Sequence, residues 1–292
     1  MHYAHPERLI SPAEVAQRME RRDEHLRLFD CTVFLHPDPP RLRAESGRAE
    51  YLKAHLPGAG FLDLLGNLSD DASPFGFTLP GPDALQAAFR AAGIDDQSQV
   101  VLYSTGHLMW ATRVWWMLHG AGHRQVALLD GGWPCWRAEG RPVEAGESGY
   151  PTGTMTVRLR TGVWADRSEV QAAIGQASTC LVNSLSAEAY DGNSNLHHGR
   201  PGHIPGSRHL FCDTLLVGHS LRDADTILAA ARRLGADTAD TRVVVYCGGG
   251  ISATVDAFAL ALVGHQNVAV YDGSLSEWAR DPSLPLKTGA EP

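Results

Sequence analysis

The sequence predicts two α/β domains in tandem, each a parallel sheet flanked by helices. Three observations carry this reading. Short β-branched runs alternate with helical segments, the pattern of right-handed βαβ crossovers. The order of elements then returns at near-constant spacing: Ala253-Thr254 lies 142 positions after Ala111-Thr112, and Asp272 and Trp278 lie 142 after Asp130 and Trp136. Finally, 292 residues are long for one domain and comfortable for two, each able to bury its own core. The expected first domain is 1–145 and the second 156–292. The linker between them, 146–155, holds GESGYPTGT, rich in Gly, Pro, Ser and Thr.

The first half opens with a helix over 10–20. Ser11 is its N-cap, Pro12 takes the first helical position and Glu14 the capping-box position. Residues 26–34, LRLFDCTVF, read as a strand, and AHLPG at 54–58 as a turn. A helix over 79–92 starts near Pro82-Asp83. A buried strand at 100–103 leads through a loop at 104–110 into a helix over 111–118. The strand at 126–129 ends in DGGW. The second half repeats the order. Asp166 caps a helix that begins in WADRSE, CLVNS at 180–184 is a strand, and GHIPG at 202–206 matches AHLPG. A helix over 223–234, a strand at 243–246 and a strand at 268–271 ending in Asp272-Gly273 complete it.

Residues 243–254, VVVYCGGGISAT, are the chemically loaded stretch. A buried parallel strand delivers Cys247 to its carboxyl end, where ligands of such sheets bind. Gly248, Gly249 and Gly250 allow a tight curl, Ile251 and Ser252 close it, and an apolar helix follows over 253–263. Loop N–H groups and the helix dipole would converge on the sulfur and favour the anion. A buried cysteine serving as a small hydrophobe would not need three consecutive glycines after it. In the first half Ser104 takes the place of Cys247, in the bulkier loop STGHLMW. A hydroxyl without a base is a poor nucleophile, so this half is expected to be silent and to wall the cleft over Cys247.

Composition excludes several classes. The net charge is −8 with no basic run, so nucleic acid is not an expected partner. No apolar run approaches the ~18 residues of a membrane span, and the N-terminus has no secretory pattern. Five scattered cysteines without CxxC suit a reduced, cytoplasmic protein. His197, His198, His203, His209 and Cys212 lie close in sequence, but His203 repeats His55 of the first turn and the remaining spacings fit no metal pattern. Neither a metal nor an organic cofactor is expected. Cysteine phosphatases need an Arg after five intervening residues, and here that position is Ala253. Asp130 and Asp272, recurring in both halves, read as turn caps.

Taken together, AHLPGA, GHIPGS, YCGGGISAT, LLDGGWPCW and VYDGSLSEW resemble the motifs of the tandem-domain rhodanese family of sulfurtransferases, of the thiosulfate and 3-mercaptopyruvate type. The resemblance spans residues 9–286. It implies two rhodanese-like domains, the second catalytic. Cys247 would take a sulfane sulfur from a small anionic donor and pass it, as a persulfide, to cyanide, a thiol or a protein acceptor. The backbone of Gly248, Gly249, Gly250, Ile251 and Ser252 would hold the outer sulfur as an oxyanion hole holds oxygen. Thiosulfate-type members resemble CRKGVTA in this loop, so Gly248 and Gly249 stand where Arg and Lys would be. Mercaptopyruvate-type members resemble CGSGVTA, so Gly249 replaces a Ser proposed to relay protons. Phe77 stands in place of a His, and Leu185 in place of an Arg that helps hold the donor anion. Arg200 is the resemblance's candidate donor contact and Arg208 a second, since an Arg fork suits a carboxylate or sulfonate. Phe211 is a candidate apolar wall. The competing reading is a non-catalytic rhodanese-like binding module or persulfide carrier for a protein partner.

Overall fold

The structure, a computed structural model, describes residues 2–236, 238 and 240–292. The first half runs β1 (Leu9–Ile10), α1 (Pro12–Glu20), β2 (Leu26–Asp30), β3 (Val33–Asp38), β4 (Arg41–Ser46), α2 (Arg48–Tyr51), β5 (Gly60–Phe61), α3 (Pro82–Ala91), β6 (Gln99–Tyr103), α4 (Met109–Gly120), β7 (Val126–Leu129) and α5 (Gly132–Ala138). The second runs β8 (Trp164–Ala165), α6 (Arg167–Ala173), β9 (Thr179–Asn183), α7 (Ala187–Tyr190), β10 (Arg208–His209), β11 (Leu216–Val217), β12 (Ser220–Leu221), α8 (Ala224–Arg233), β13 (Arg242–Tyr246), α9 (Ala253–Leu262), β14 (Val268–Tyr271) and α10 (Ser274–Trp278). Each half carries a five-stranded parallel sheet, in the orders β1-β7-β6-β2-β5 and β10-β9-β13-β14-β8. The central strands β6 and β13 have only apolar residues and a tyrosine at their buried positions, as strands covered on both faces do.

The local signals act as expected. Ser11 and Asp166 accept hydrogen bonds from the N–H groups of Glu14 and Glu169, capping α1 and α6. The stretch expected as one strand over 26–34 is instead two. Asp30 ends β2, because its carboxylate takes the N–H and hydroxyl of Thr32 at 2.8 and 2.5 Å. β3 then leaves the sheet and pairs antiparallel with β4 as a separate hairpin. That hairpin was not legible in a segment interrupted by PDPP.

The repeat extends to hydrogen bonds. Tyr103 accepts from Leu56 N–H as Tyr246 accepts from Ile204 N–H. His55 stacks on Tyr51 and His203 on Tyr190, each buried and with both ring nitrogens on backbone carbonyls. These histidines are structural. The two halves meet along α4 and α9, where Thr112 and its repeat partner Thr254 join hydroxyls at 2.7 Å. Every residue of α9 is buried. The stretch 146–155 packs on the first sheet: Tyr150 gives its hydroxyl oxygen to Leu28 N–H, and the N–H groups of Gly153 and Met155 reach Arg90 and Ile94 carbonyls. Arg158 and Arg160 continue this contact on the carbonyls of Ala121 and Gly120. Among the described residues no helix is long and apolar enough to cross a membrane.

Candidate active site

β13 ends at Tyr246, and Cys247 follows, 1% exposed, at the floor of a cavity of about 280 Å³ between the two halves. The residues from β14 into α10 clamp the cysteine from one side. Cys247 N–H donates to Ser274 Oγ at 3.1 Å, Ser274 donates to Tyr271 carbonyl, and the N–H groups of Leu275 and Ser276 reach the carbonyls of Cys247 and Gly248. Ser274 sits at φ +48°, a left-handed conformation that costs about 1–2 kcal/mol for a residue with a side chain. Its repeat partner in the first half is Gly132, at φ +55°, so the serine is tolerated because its hydroxyl secures the cysteine strand. In the first half Ser104 spends its hydroxyl on His107 carbonyl, 2.9 Å away.

The three glycines differ. Gly250 has φ +72°, and a Cβ there would run into the Asp272 carbonyl. A Cβ on Gly248 would run into the His198 imidazole. A Cβ on Gly249 would find only ordinary contacts, with Ser276 Oγ at 3.6 Å and Gly76 carbonyl at 3.8 Å. Among the described residues no protein group accepts from the N–H groups of Gly248, Gly249, Gly250, Ile251 or Ser252. Five consecutive donors beside a cysteine are therefore unspent.

The first half completes the site. Leu35, Leu42, Phe77, Met109 and Trp110 form an apolar wall, with Leu185 opposite. Arg113, the one charged residue in the apolar helix α4, is fully buried and crosses to the active loop. It donates to Gly250 carbonyl at 3.1 Å and Phe77 carbonyl at 2.6 Å, and meets Asp272 Oδ1 at 2.7 Å. Asp272 Oδ2 accepts from Leu79 N–H at 2.8 Å. Asp272 is thus an inter-domain tie, not the turn cap expected from its recurrence; Arg113 has no counterpart in the second half, where that position is Val255.

His198 lies on the cavity wall, with Nδ1 3.1 Å from Ser276 Oγ. Burial pushes its pKa down to about 4, helped by nearby His197, Arg41 and Arg280, so the imidazole is neutral at physiological pH. Arg41 and Arg280 also line the cavity. The sequence reading missed Arg41, Arg280, Ser276 and Arg113, because they come from three separate segments. Only the lone charge in MWATRVWWMLHG could have flagged Arg113.

Arg200 is placed elsewhere. Its guanidinium donates to the carbonyls of Ala279, Asp281 and Leu284 at 2.7–3.0 Å, holding the C-terminal segment, and it does not line the cavity. The expectation of a donor contact at Arg200 is corrected accordingly: its donors are spent on backbone. Arg208 and Phe211 line a separate groove with Tyr190 and Leu234. The clustered histidines do not converge; Cys212 instead lies beside Asp213 and His107, whose Nε2 is 2.8 Å from the Asp213 carboxylate.

The comparisons agree with this architecture. The rhodanese-like domain model matches residues 11–139 and 166–281. The chain is 33% identical to a probable 3-mercaptopyruvate sulfurtransferase of Pseudomonas aeruginosa, over 96% of this chain and 98% of that one. It is 34% identical to the putative thiosulfate sulfurtransferase SseB of Mycobacterium tuberculosis, over 85% and 88%. The crystal structure of SseA from Escherichia coli superposes with a TM-score of 0.80 at 26% identity, covering 91% of this chain and 98% of that one. With two matched domains and relatives of this similarity along its length, the chain belongs to the rhodanese family of sulfurtransferases.

Proposed function

We propose that Cys247 carries sulfur as a persulfide from a small anionic donor to a thiophilic acceptor. The observation that carries this reading is the buried cysteine lining a cavity between the two halves, followed by five backbone N–H groups with no partner among the described residues. Such donors stabilise charge on a sulfur bound above them at no reorganisation cost.

With thiosulfate, the Cys247 thiolate attacks the outer sulfur, its S–S bond breaks, and sulfite leaves with the electron pair. With 3-mercaptopyruvate, attack on the thiol sulfur breaks the C–S bond, and the pyruvate enolate leaves and takes up a proton. Either route leaves Cys247–S–S⁻ or its protonated form. An acceptor such as cyanide then attacks the outer sulfur, and Cys247 departs as thiolate. No metal or organic cofactor enters. The Gly248 to Ser252 N–H groups hold the outer sulfur through both halves. The relatives' names make thiosulfate and 3-mercaptopyruvate the donors to test first. The five unbridged cysteines suit a reducing compartment, the cytoplasm.

The test is cyanide-dependent thiocyanate formation with each donor, on the native protein and Cys247→Ser. Turnover by the native protein that vanishes in the variant supports the reading. A folded native protein inactive with both donors contradicts it.

A further inference from the structure

The active loop, CGGGIS, carries no charge, and Leu185 is apolar, so whatever neutralises an anionic donor must come from elsewhere. Among the described residues no acidic side chain lines the cavity over Cys247, and two arginines do, one from each half. Arg41 stands at the start of β4, on the hairpin that leaves the first sheet. Arg280 lies just beyond α10. Both are exposed. Among the described residues the Arg41 side chain has no hydrogen-bond or ion-pair partner. Among the described residues Arg280 meets no carboxylate: it donates to Pro74 carbonyl at 3.1 Å and lies over the Phe75 ring at 5.0 Å. Other arginines of this acidic chain, Arg18 and Arg48 among them, end on carboxylates at 2.7 and 2.6 Å.

The two are also held in place. Pro40 carbonyl, next to Arg41, accepts from His197 N–H at 2.9 Å, which fastens the hairpin of the first half to the second beside the cavity. The Pro74 and Phe75 contacts fasten Arg280 in the opposite sense. Both arginines are near enough to His198 to disfavour its protonation.

We propose that Arg41 and Arg280 form the anion seat of this site, gripping the carboxylate or sulfonate end of the sulfur donor while its sulfur approaches Cys247 along the apolar wall. Positive charge absent from the active loop is supplied across the domain interface. Two guanidinium forks suit an oxyanion, and an uncharged loop then leaves the persulfide held by backbone N–H groups with no cation paired to it. This inference rests on Cys247 being the reacting sulfur.

The test uses two alkylating probes of nearly equal shape, iodoacetate (anionic) and iodoacetamide (neutral), on the full chain, with labelling of Cys247 followed by peptide mass. Arg41→Gln and Arg280→Gln are each expected to lower the iodoacetate-to-iodoacetamide rate ratio about three- to fivefold, and the double variant by more, at low salt. Arg43→Gln, on the same hairpin but outside the cavity, is the control. In turnover, the same variants are expected to raise KM for the anionic donor more than they lower kcat. A merely structural role would slow both probes alike. An unchanged ratio in the double variant overturns the anion seat and leaves the sulfur-transfer reading standing. A native Cys247 inert to both probes overturns the reading beneath it.

Discussion

The three glycines after Cys247 are chemically identical, yet the structure assigns them different costs. Replacing each with Ala separates them. At Gly250 the left-handed backbone costs a side chain about 1–2 kcal/mol. The added Cβ also lies 2.5 Å from the Asp272 carbonyl and 3.3 Å from Arg113 Nη1, so backbone must move, at a further ~1–3 kcal/mol. The sum is about 3 kcal/mol, or roughly 6–12 °C in Tm for a protein of this size. At Gly248 the obstacle is the end of the His198 side chain, which can swing away; stability falls less, but the imidazole leaves the cavity wall and sulfur transfer suffers. At Gly249 nothing lies closer than 3.6 Å, and the loss of unfolded-state freedom makes Ala neutral or better by about 0.5 kcal/mol. Differential scanning calorimetry and the rate of Cys247 persulfide formation on the three variants check this order. A Gly250→Ala protein as stable as the native one, or a Gly249→Ala protein as damaged as Gly250→Ala, would refute the reasoning.

Two further predictions follow from the same contacts. Arg113→Met removes the link from the first half to Gly250 and leaves Asp272 without its ion partner; about 3 kcal/mol is lost, and Asp272→Asn in the same chain recovers part of it in a double-mutant cycle read by denaturant unfolding. His198 has a folded pKa near 4 against about 6.5 unfolded, so the unfolded state binds the extra proton first: its stabilising contribution is complete above pH 6.5 and is lost as pH falls towards 4, by about 2 kcal/mol at pH 5. The difference in unfolding free energy between native and His198→Gln protein, measured from pH 7 to pH 5, should show that slope, and a flat difference would contradict a buried neutral imidazole.

Much of this was legible in the sequence because the signals were local. Ser11 and Asp166 announce their helices by capping chemistry, and the two Pro-Gly turns carry matching histidines, each stacked on a tyrosine and set among backbone carbonyls. VVVYCGGGISAT declares a strand, a sharp bend and a buried helix within twelve residues. What remained hidden is non-local. β3 and β4 pair outside the sheet, so the hairpin bearing Arg41 was given no element by the sequence reading beyond the strand ending at Phe34. Arg113 and Asp272 meet only after the halves dock. Arg200 carries the right chemistry in the right neighbourhood, but its donors are taken by backbone carbonyls that spacing cannot reveal. The cavity's polar side chains therefore differ from those the motif implied, while the cysteine and its loop are common to both.

The measurement closest to the central claim is the intact mass of the protein after incubation with 3-mercaptopyruvate or thiosulfate and removal of excess donor, followed by peptide mapping and then by cyanide. The account predicts a gain of one sulfur atom, located on Cys247, absent in Cys247→Ser, and released as thiocyanate with return to the starting mass. A native protein that turns over either donor without ever carrying sulfur on Cys247, or that carries it on another cysteine, would contradict it.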